Sequence, residues 1–159
     1  MTTILRFVQI LALGIWLGGI VFLSFAVAPH AFAMLASRHQ AGAIVGMALA
    51  RLHFMGLACG VAYLLAAVFR LRSLSALAAP AAVAVLSMLA LTMMSQFWVS
   101  ARMADLRAQM ATEHGSIDQT PQGHPLRAEF GRLHGISTAL ELAVLLLGLA
   151  ALYFTMTQV

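Results

Sequence analysis

Lysine is absent from this 159-residue chain, and cysteine occurs once, at Cys59. A single cysteine excludes an intrachain disulfide and a cysteine-built metal cluster, and in mid-run it reads as a small packing residue. Charged residues of either sign make up 9% of the chain, where a soluble domain carries about 25%. That scarcity excludes an ordinary water-soluble fold. The sequence pI of about 10.7 reflects nine arginines against five acids. Nucleic-acid binding would need those arginines on one face of a soluble element, and no such element can be drawn, so no nucleic-acid partner is expected. The arginines read as anchors at a membrane surface.

What fills the chain is apolar: 62% of residues are hydrophobic and the mean hydropathy is +0.95. Residues 7–36 and 73–101 contain no Asp, Glu, Lys or Arg. Residues 52–69 hold His53 but no Asp, Glu, Lys or Arg, and 133–159 hold one acid, Glu141. A membrane-spanning helix needs roughly 20 mainly apolar residues. Four runs of that kind predict an all-α, integral membrane four-helix up-down bundle, one domain over 1–159, in contact with the lipid bilayer. The helices are expected near 6–28, 48–69, 74–101 and 130–157. The first run is longer than the roughly 7–15 residues of a signal-peptide core, so it reads as a span. A bacterial inner membrane is the expected location.

With four helices the termini share one side of the membrane, here called side A, which holds Arg6, Arg70 and Arg72. The opposite side B holds a connection over 29–49, loosened by Gly42 and Gly46 or else partly an interfacial helix from Met34 to Leu49. It also holds the main polar connection between the third and fourth helices. His39, His114 and His124 read as solvated loop residues there. Side B carries six arginines to three on side A, which by the positive-inside rule favours the cytoplasm for side B. The compact turn at 69–72 looks cytoplasmic in its own right, so the sequence leaves the orientation open.

The tripeptide Arg-Leu-His occurs twice, at Arg51-Leu52-His53 and Arg132-Leu133-His134, each at the start of a long apolar run. The 81-residue offset between the copies is consistent with a two-plus-two duplication. Charge at the mouth of an apolar helix is expensive and usually functional. The second and fourth helices run the same way and are diagonal partners in an up-down bundle, so the two histidines are expected at similar depth, facing the centre. A flat macrocycle would fit such a gap. His53 and His134 would be axial ligands of a haem b, with Arg51 and Arg132 as planar bidentate partners of the propionates. Gly56 and Gly60 would leave room for the porphyrin. The alternatives are that each His caps its helix or binds interfacial water, and that the glycines serve close packing.

A second ligand set adds His30 to His53 and His134. Neutral imidazole suits copper, zinc and iron alike, and Met34 and Met55 would favour Cu(I). Glu141 lies two turns below His134, roughly 10 Å deeper. An intramembrane carboxylate is a functional candidate, here a proton relay or polarising group, against a protonated acid hydrogen-bonded between helices. Ser24, Thr92, Ser95 and Gln96 share its depth and are its candidate partners. Gly14 and Gly18 form a small-xxx-small pair suited to close packing or homo-oligomers.

Trp16-Leu17-Gly18-Gly19, Ala28-Pro29 with Phe32, and Phe130-Gly131-Arg132-Leu133-His134-Gly135 resemble a bacterial four-helix membrane family of unknown function. That family is related to a vertebrate transmembrane protein linked to drug resistance. The resemblance extends more distantly to copper-resistance-D membrane proteins and HemJ-type protoporphyrinogen oxidases, and covers nearly the whole chain. It implies the bundle and favours haem or copper. HemJ-type enzymes use a His and a Lys near their haem, and the lack of lysine sets porphyrinogen oxidation aside. The readings left are a haem b protein passing electrons to a redox partner or binding a small redox ligand, a copper-handling protein, and a helical scaffold or assembly subunit without a cofactor.

Overall fold

The structure, a computed structural model, describes residues 2–157. Four long helices account for nearly all of them: α1 Thr2–Met34, α2 Arg38–Leu71, α3 Pro80–His114 and α4 Pro125–Thr157. Two are interrupted by π-helical turns, at Leu23–Val27 in α1 and Ser95–Ser100 in α3. Each helix is long and apolar enough to cross a membrane, and together they form a helical bundle of an integral membrane protein.

At 33 to 35 residues the helices are roughly 50 Å long, well beyond the ~30 Å hydrocarbon core. The excess lies mostly on side B and corrects the expected loops. Ser37 caps α2 by accepting a hydrogen bond from the Gln40 N–H at 3.3 Å, so residues 38–50 are helix and not connection. Gly42 does not loosen this segment; a Cβ there would lie 3.1 Å from Arg107 Nη2, so the glycine admits the guanidinium. Arg107 also lies over the Phe130 ring, 5.5 Å from its centroid. α3 continues through 101–114, a stretch rich in Ala, Arg, Met, Leu, Gln and Glu, all good helix formers. It stops where Gly115 takes a positive φ of 80°, a conformation glycine adopts without strain. On side A, Arg72 ends α2 in the left-handed region at φ 48°, and a short 3-10 turn occupies Leu74–Ala78. α3 therefore opens at Pro80, not 74, and α4 opens at Pro125, not 130. Proline suits the first helical turn, where its missing N–H has no intrahelical partner.

α1 and α3 each pack against both α2 and α4, whereas α2 and α4 are diagonal and nowhere bring Cα atoms within 8 Å. The buried apolar residues fall into two clusters. The larger, toward side A, contains Leu13, Trp16, Leu17, Ile20, Tyr63, Val85, Met88, Val144 and Ala151. The smaller, toward side B, contains Val99, Leu106, Met110 and Leu133. Between them on α3 lie Thr92, Ser95 and Gln96, and on α4 Ser137 and Glu141. The bundle thus has a polar layer set between two apolar ones.

Side A is stitched by polar contacts of its own. Tyr63 and Thr155 share a buried hydroxyl–hydroxyl hydrogen bond of 2.6 Å, and Arg6 Nη2 donates to the Met156 carbonyl at 2.6 Å. The outer surface is studded with large apolar side chains, among them Phe7, Phe25, Phe54, Leu65, Phe69, Leu142, Leu146 and Tyr153. On a water-soluble monomer a surface of this kind would drive association; here it is the face a bilayer solvates.

Candidate polar site inside the bundle

His53 occupies the centre of the polar layer and is 1% exposed. It is not at the mouth of its helix, because the Ser37 cap adds some four turns of α2 ahead of it. Its Nε2 lies 2.6 Å from Glu141 Oε1 on α4, and its Nδ1 lies 2.8 Å from Gln96 Oε1 on α3. Three helices therefore meet at one imidazole, and the His53–Glu141 contact bridges the diagonal that no pair of backbones closes.

The acceptor atoms constrain the proton count. An amide oxygen at Nδ1 requires that nitrogen to carry hydrogen, so Gln96 fixes Nδ1–H as donor. The variable proton then sits between Nε2 and Glu141. Either the imidazolium donates to a carboxylate, or a carboxylic O–H donates to neutral imidazole. Both arrangements have zero net charge and use the same heavy atoms, which suits a region where an isolated charge is very unfavourable.

Access to Glu141 comes from one side. Its side chain is 15% exposed and forms part of a half-open cleft of about 200 Å³ between α1 and α4, with Ile20, Ser24, Phe25, Thr138, Leu142 and Leu145. Ser24 and Phe25 belong to the π-helical turn of α1, and Gln96 belongs to that of α3. Extra residues in a helical turn re-aim the side chains around them and recur at functional sites. Both such turns of the bundle border this site.

The structure brings Glu141 and Gln96 to His53 but not His134. Since His53 lies level with Glu141, His134 is two turns, roughly 10 Å, nearer side B. It is exposed, and its carbonyl accepts from Thr138 Oγ1 at 3.0 Å. Arg51 is exposed on α2. Arg132 lines a separate cleft of about 350 Å³ with Trp98, Arg102, Glu129, Leu133 and Ile136, to which α2 contributes nothing. The space over Gly56 and Gly60 is filled: a Cβ at Gly56 would run into the Trp16 indole, and one at Gly60 would meet Leu89 Cδ2 at 2.6 Å. With both His53 nitrogens engaged as well, the residues as arranged do not fit a haem held between His53 and His134. The three-histidine set does not converge either, since His30 is exposed and turns its Nδ1 onto the Ala26 carbonyl of its own helix at 2.7 Å. Gly14 and Gly18 face outward with open space around them; α1 and α2 approach closely at Gly19, where a Cβ would meet Leu52 Cδ1 at 2.6 Å.

Three features are not evident from sequence. Gln96 is legible there only as one of four polar residues at matching depth. Arg107 carries no motif. His114 and His124 read as loop residues, yet their rings stack edge to face with centroids 4.9 Å apart.

Residues 11–112 match the family model described as "Domain of unknown function (DUF4149)". That is more than half of the chain, and the protein belongs to the DUF4149 family. The match spans most of α1, all of α2 and most of α3, so His53 and Gln96 lie within it and Glu141 beyond it. No curated protein and no solved structure matches the chain.

Proposed function

We propose that this DUF4149 protein binds and exchanges a proton inside the membrane, with His53 and Glu141 as the exchanging pair. The observation that carries the proposal is the 2.6 Å contact between His53 Nε2 and Glu141 Oε1, across the diagonal of the bundle and shielded by apolar clusters above and below. A donor–acceptor separation of that size lets one proton move between the two groups with little heavy-atom motion. Gln96 is a positioning residue: it holds Nδ1–H, so Nε2 alone faces the carboxyl. Ser24 and Thr138 bring hydroxyls beside Glu141 in the cleft between α1 and α4 and are the groups through which its proton would pass toward side B. Such a unit serves proton-coupled transport or a redox step that takes up a proton, in a bacterial inner membrane.

The test is proton movement in proteoliposomes carrying an internal pH dye and a potassium-diffusion potential. The wild type is expected to acidify or alkalinise the lumen according to the sign of the potential. Glu141→Gln and His53→Ala are expected to fall to the rate of empty vesicles, and His134→Ala to keep the wild-type rate. Equal rates in wild type and Glu141→Gln would sink the proposal.

A haem b or a copper ion held by His53 is the second reading. It is favoured by the Gln96 hydrogen bond, since a metal-ligating imidazole usually donates its other N–H to an oxygen acceptor. It requires Glu141 to release Nε2, and His134 would serve only as a ligand to a separate ion. Colour and metal content of protein purified from haem- and copper-replete cells decide it: a colourless, metal-free preparation removes this reading. The open Gly14/Gly18 face would serve a homo-oligomer or a redox partner in either case.

A further inference from the structure

We infer that Glu113, His114 and His124 form a binding site for a divalent transition-metal ion in the connection between α3 and α4. One ligand atom from each lies within 4.8 Å of the other two. His114 Nε2 is 3.9 Å from Glu113 Oε2, and the two histidine rings meet at 78°. Metal–nitrogen distances near 2.0–2.1 Å with tetrahedral angles place donor atoms about 3.3 Å apart. The side chains therefore have to close by about 1.5 Å at most, a change within rotamer adjustment for groups at a surface.

The backbone that brings them together is organised by other residues. Gly115 turns the chain directly after His114 with its φ of 80°. The Pro121–His124 turn closes through His124 N–H to the Pro121 carbonyl at 3.0 Å, setting His124 just ahead of Pro125. Arg127 Nη1 donates to the Thr120 carbonyl at 2.6 Å, and Thr120 Oγ1 donates to the Ser116 carbonyl at 2.8 Å. None of these bonds uses a side-chain atom of the three ligands, so the connector is shaped before any ion arrives.

Two further observations point to a cation. His114 Nε2 is shut off from solvent and has no hydrogen-bond partner, which is unfavourable for an imidazole nitrogen unless something else satisfies it. The group also sits at the C-terminus of a 14-residue helical stretch, where unpaired carbonyls place partial negative charge. His124 Nδ1 receives a contact from the Leu126 N–H of 3.4 Å. That contact is long, and a first-turn amide is readily satisfied by water once Nε2 takes the metal. Two imidazoles and one carboxylate match the His-and-carboxylate sites of zinc and its neighbours, with a coordination position left for water. One carboxylate is too few oxygen donors for calcium or magnesium. Bound metal would clip the ten-residue connector 115–124 at both ends. The site is separate from the His53–Glu141 pair and stands without it.

The experiment is a Zn2+ titration of chelator-stripped, tag-free, full-length protein in detergent, by calorimetry with metal analysis after dialysis. One Zn2+ per chain at micromolar affinity is expected. His114→Ala/His124→Ala should lose that equivalent while keeping its helical circular dichroism, and Glu113→Gln should weaken it at least tenfold. Co2+ in place of Zn2+ should give the intense visible bands of a tetrahedral site, and His30→Ala/His134→Ala should leave them unchanged. Undiminished binding in His114→Ala/His124→Ala would overturn the inference, as would a wild type with no stoichiometric Zn2+. Single His124→Asn perturbs the connector less and takes the place of the double variant if that one does not fold. It too should lose the equivalent, and undiminished binding there would equally overturn the inference.

Discussion

The same three residues, Arg-Leu-His, come to opposite ends at 51–53 and 132–134. His53 is buried with both ring nitrogens engaged, while His134 is exposed and lends only its carbonyl. Local sequence does not distinguish them; the helices that carry them do. α2 begins at Arg38, 15 residues ahead of His53, and α4 begins at Pro125, nine ahead of His134. With both helices starting on side B, that offset of about six residues, roughly 9 Å, slides Glu141 to the level of His53 and lifts His134 out of the layer. Depth, set by where each helix starts, decided which copy entered the site.

The sharpest break in this comparison is removal of either imidazole. His53→Ala leaves Glu141 and Gln96 without their partner in a low-dielectric layer, and breaking a buried pair this way costs about 3 kcal/mol or more. His134→Ala is expected to change stability by no more than about 0.5 kcal/mol, the usual range for an exposed side chain. Thermal or denaturant unfolding in detergent measures both. Equal losses would mean that the two histidines share an environment after all. The double variant His53→Ala/Glu141→Leu should be less destabilised than the sum of its singles, because the orphaned carboxyl is gone.

Next come the glycines that follow each histidine. Gly56→Ala pushes a methyl into the Trp16 indole, and overpacking of that kind costs roughly 1–3 kcal/mol. Gly135 has open space around it, so Gly135→Ala should stabilise α4 by up to about 1 kcal/mol through helix propensity alone. A tolerated Gly56→Ala would mean that the Trp16 indole does not fill the space beside His53. Gln96→Leu is expected to be milder, about 1–2 kcal/mol for the lost acceptor. Its diagnostic is nitrogen NMR of His53, which should show Nδ1 carrying hydrogen in the wild type and losing that preference in the variant.

The smallest effect lies outside the membrane. Asp118 accepts from Ser37 Oγ at 2.7 Å and from the His39 N–H at 3.2 Å. The Ser37 hydrogen bond, helped by the His39 amide, holds its carboxyl below the ordinary carboxylate value. A depressed carboxylate stabilises the folded form above its unfolded pKa of about 3.9. That contribution disappears as pH falls through the lower folded value. In chelator-stripped protein, where no metal on His114 and His124 contributes, proteolysis of the 115–124 connector should therefore rise as pH falls into the acid range below about 5. Asp118→Asn should show the acid-level rate at all pH values; a wild-type rate in Asp118→Asn would detach this tie from connector stability.

Much of this architecture can be traced back to residues. Four charge-poor runs imply four spans because nothing else shields that many apolar side chains. The helix ends are also written in the chain, though less conspicuously. Ser37 with Gln40 three residues on is a capping-box pattern, and Pro80 and Pro125 are first-turn prolines. Hydropathy weighed over capping misplaces three of these boundaries, and the depth of His134 goes with them. Glu141 is marked as a functional group by its burial in an apolar run, and Gln96 by its matching depth. Their meeting on His53 is hidden, because the π-helical turns that aim Ser24, Phe25 and Gln96 have no sequence signature of their own. The pairing of His114 with His124 is hidden for a related reason: it depends on a turn closed by backbone bonds.

The Tyr63–Thr155 and Arg6–Met156 contacts would let the bundle pivot at side A once the Ser37–Asp118 tie at side B is released. They tie α2 to α4 and α1 to α4 at the side A end, well away from the polar layer. An opening movement that keeps those ties intact has its pivot at side A and its largest displacement at side B. The helices would part like the legs of a compass, and water entering from side B would meet His53 before the joint at the far end had to give.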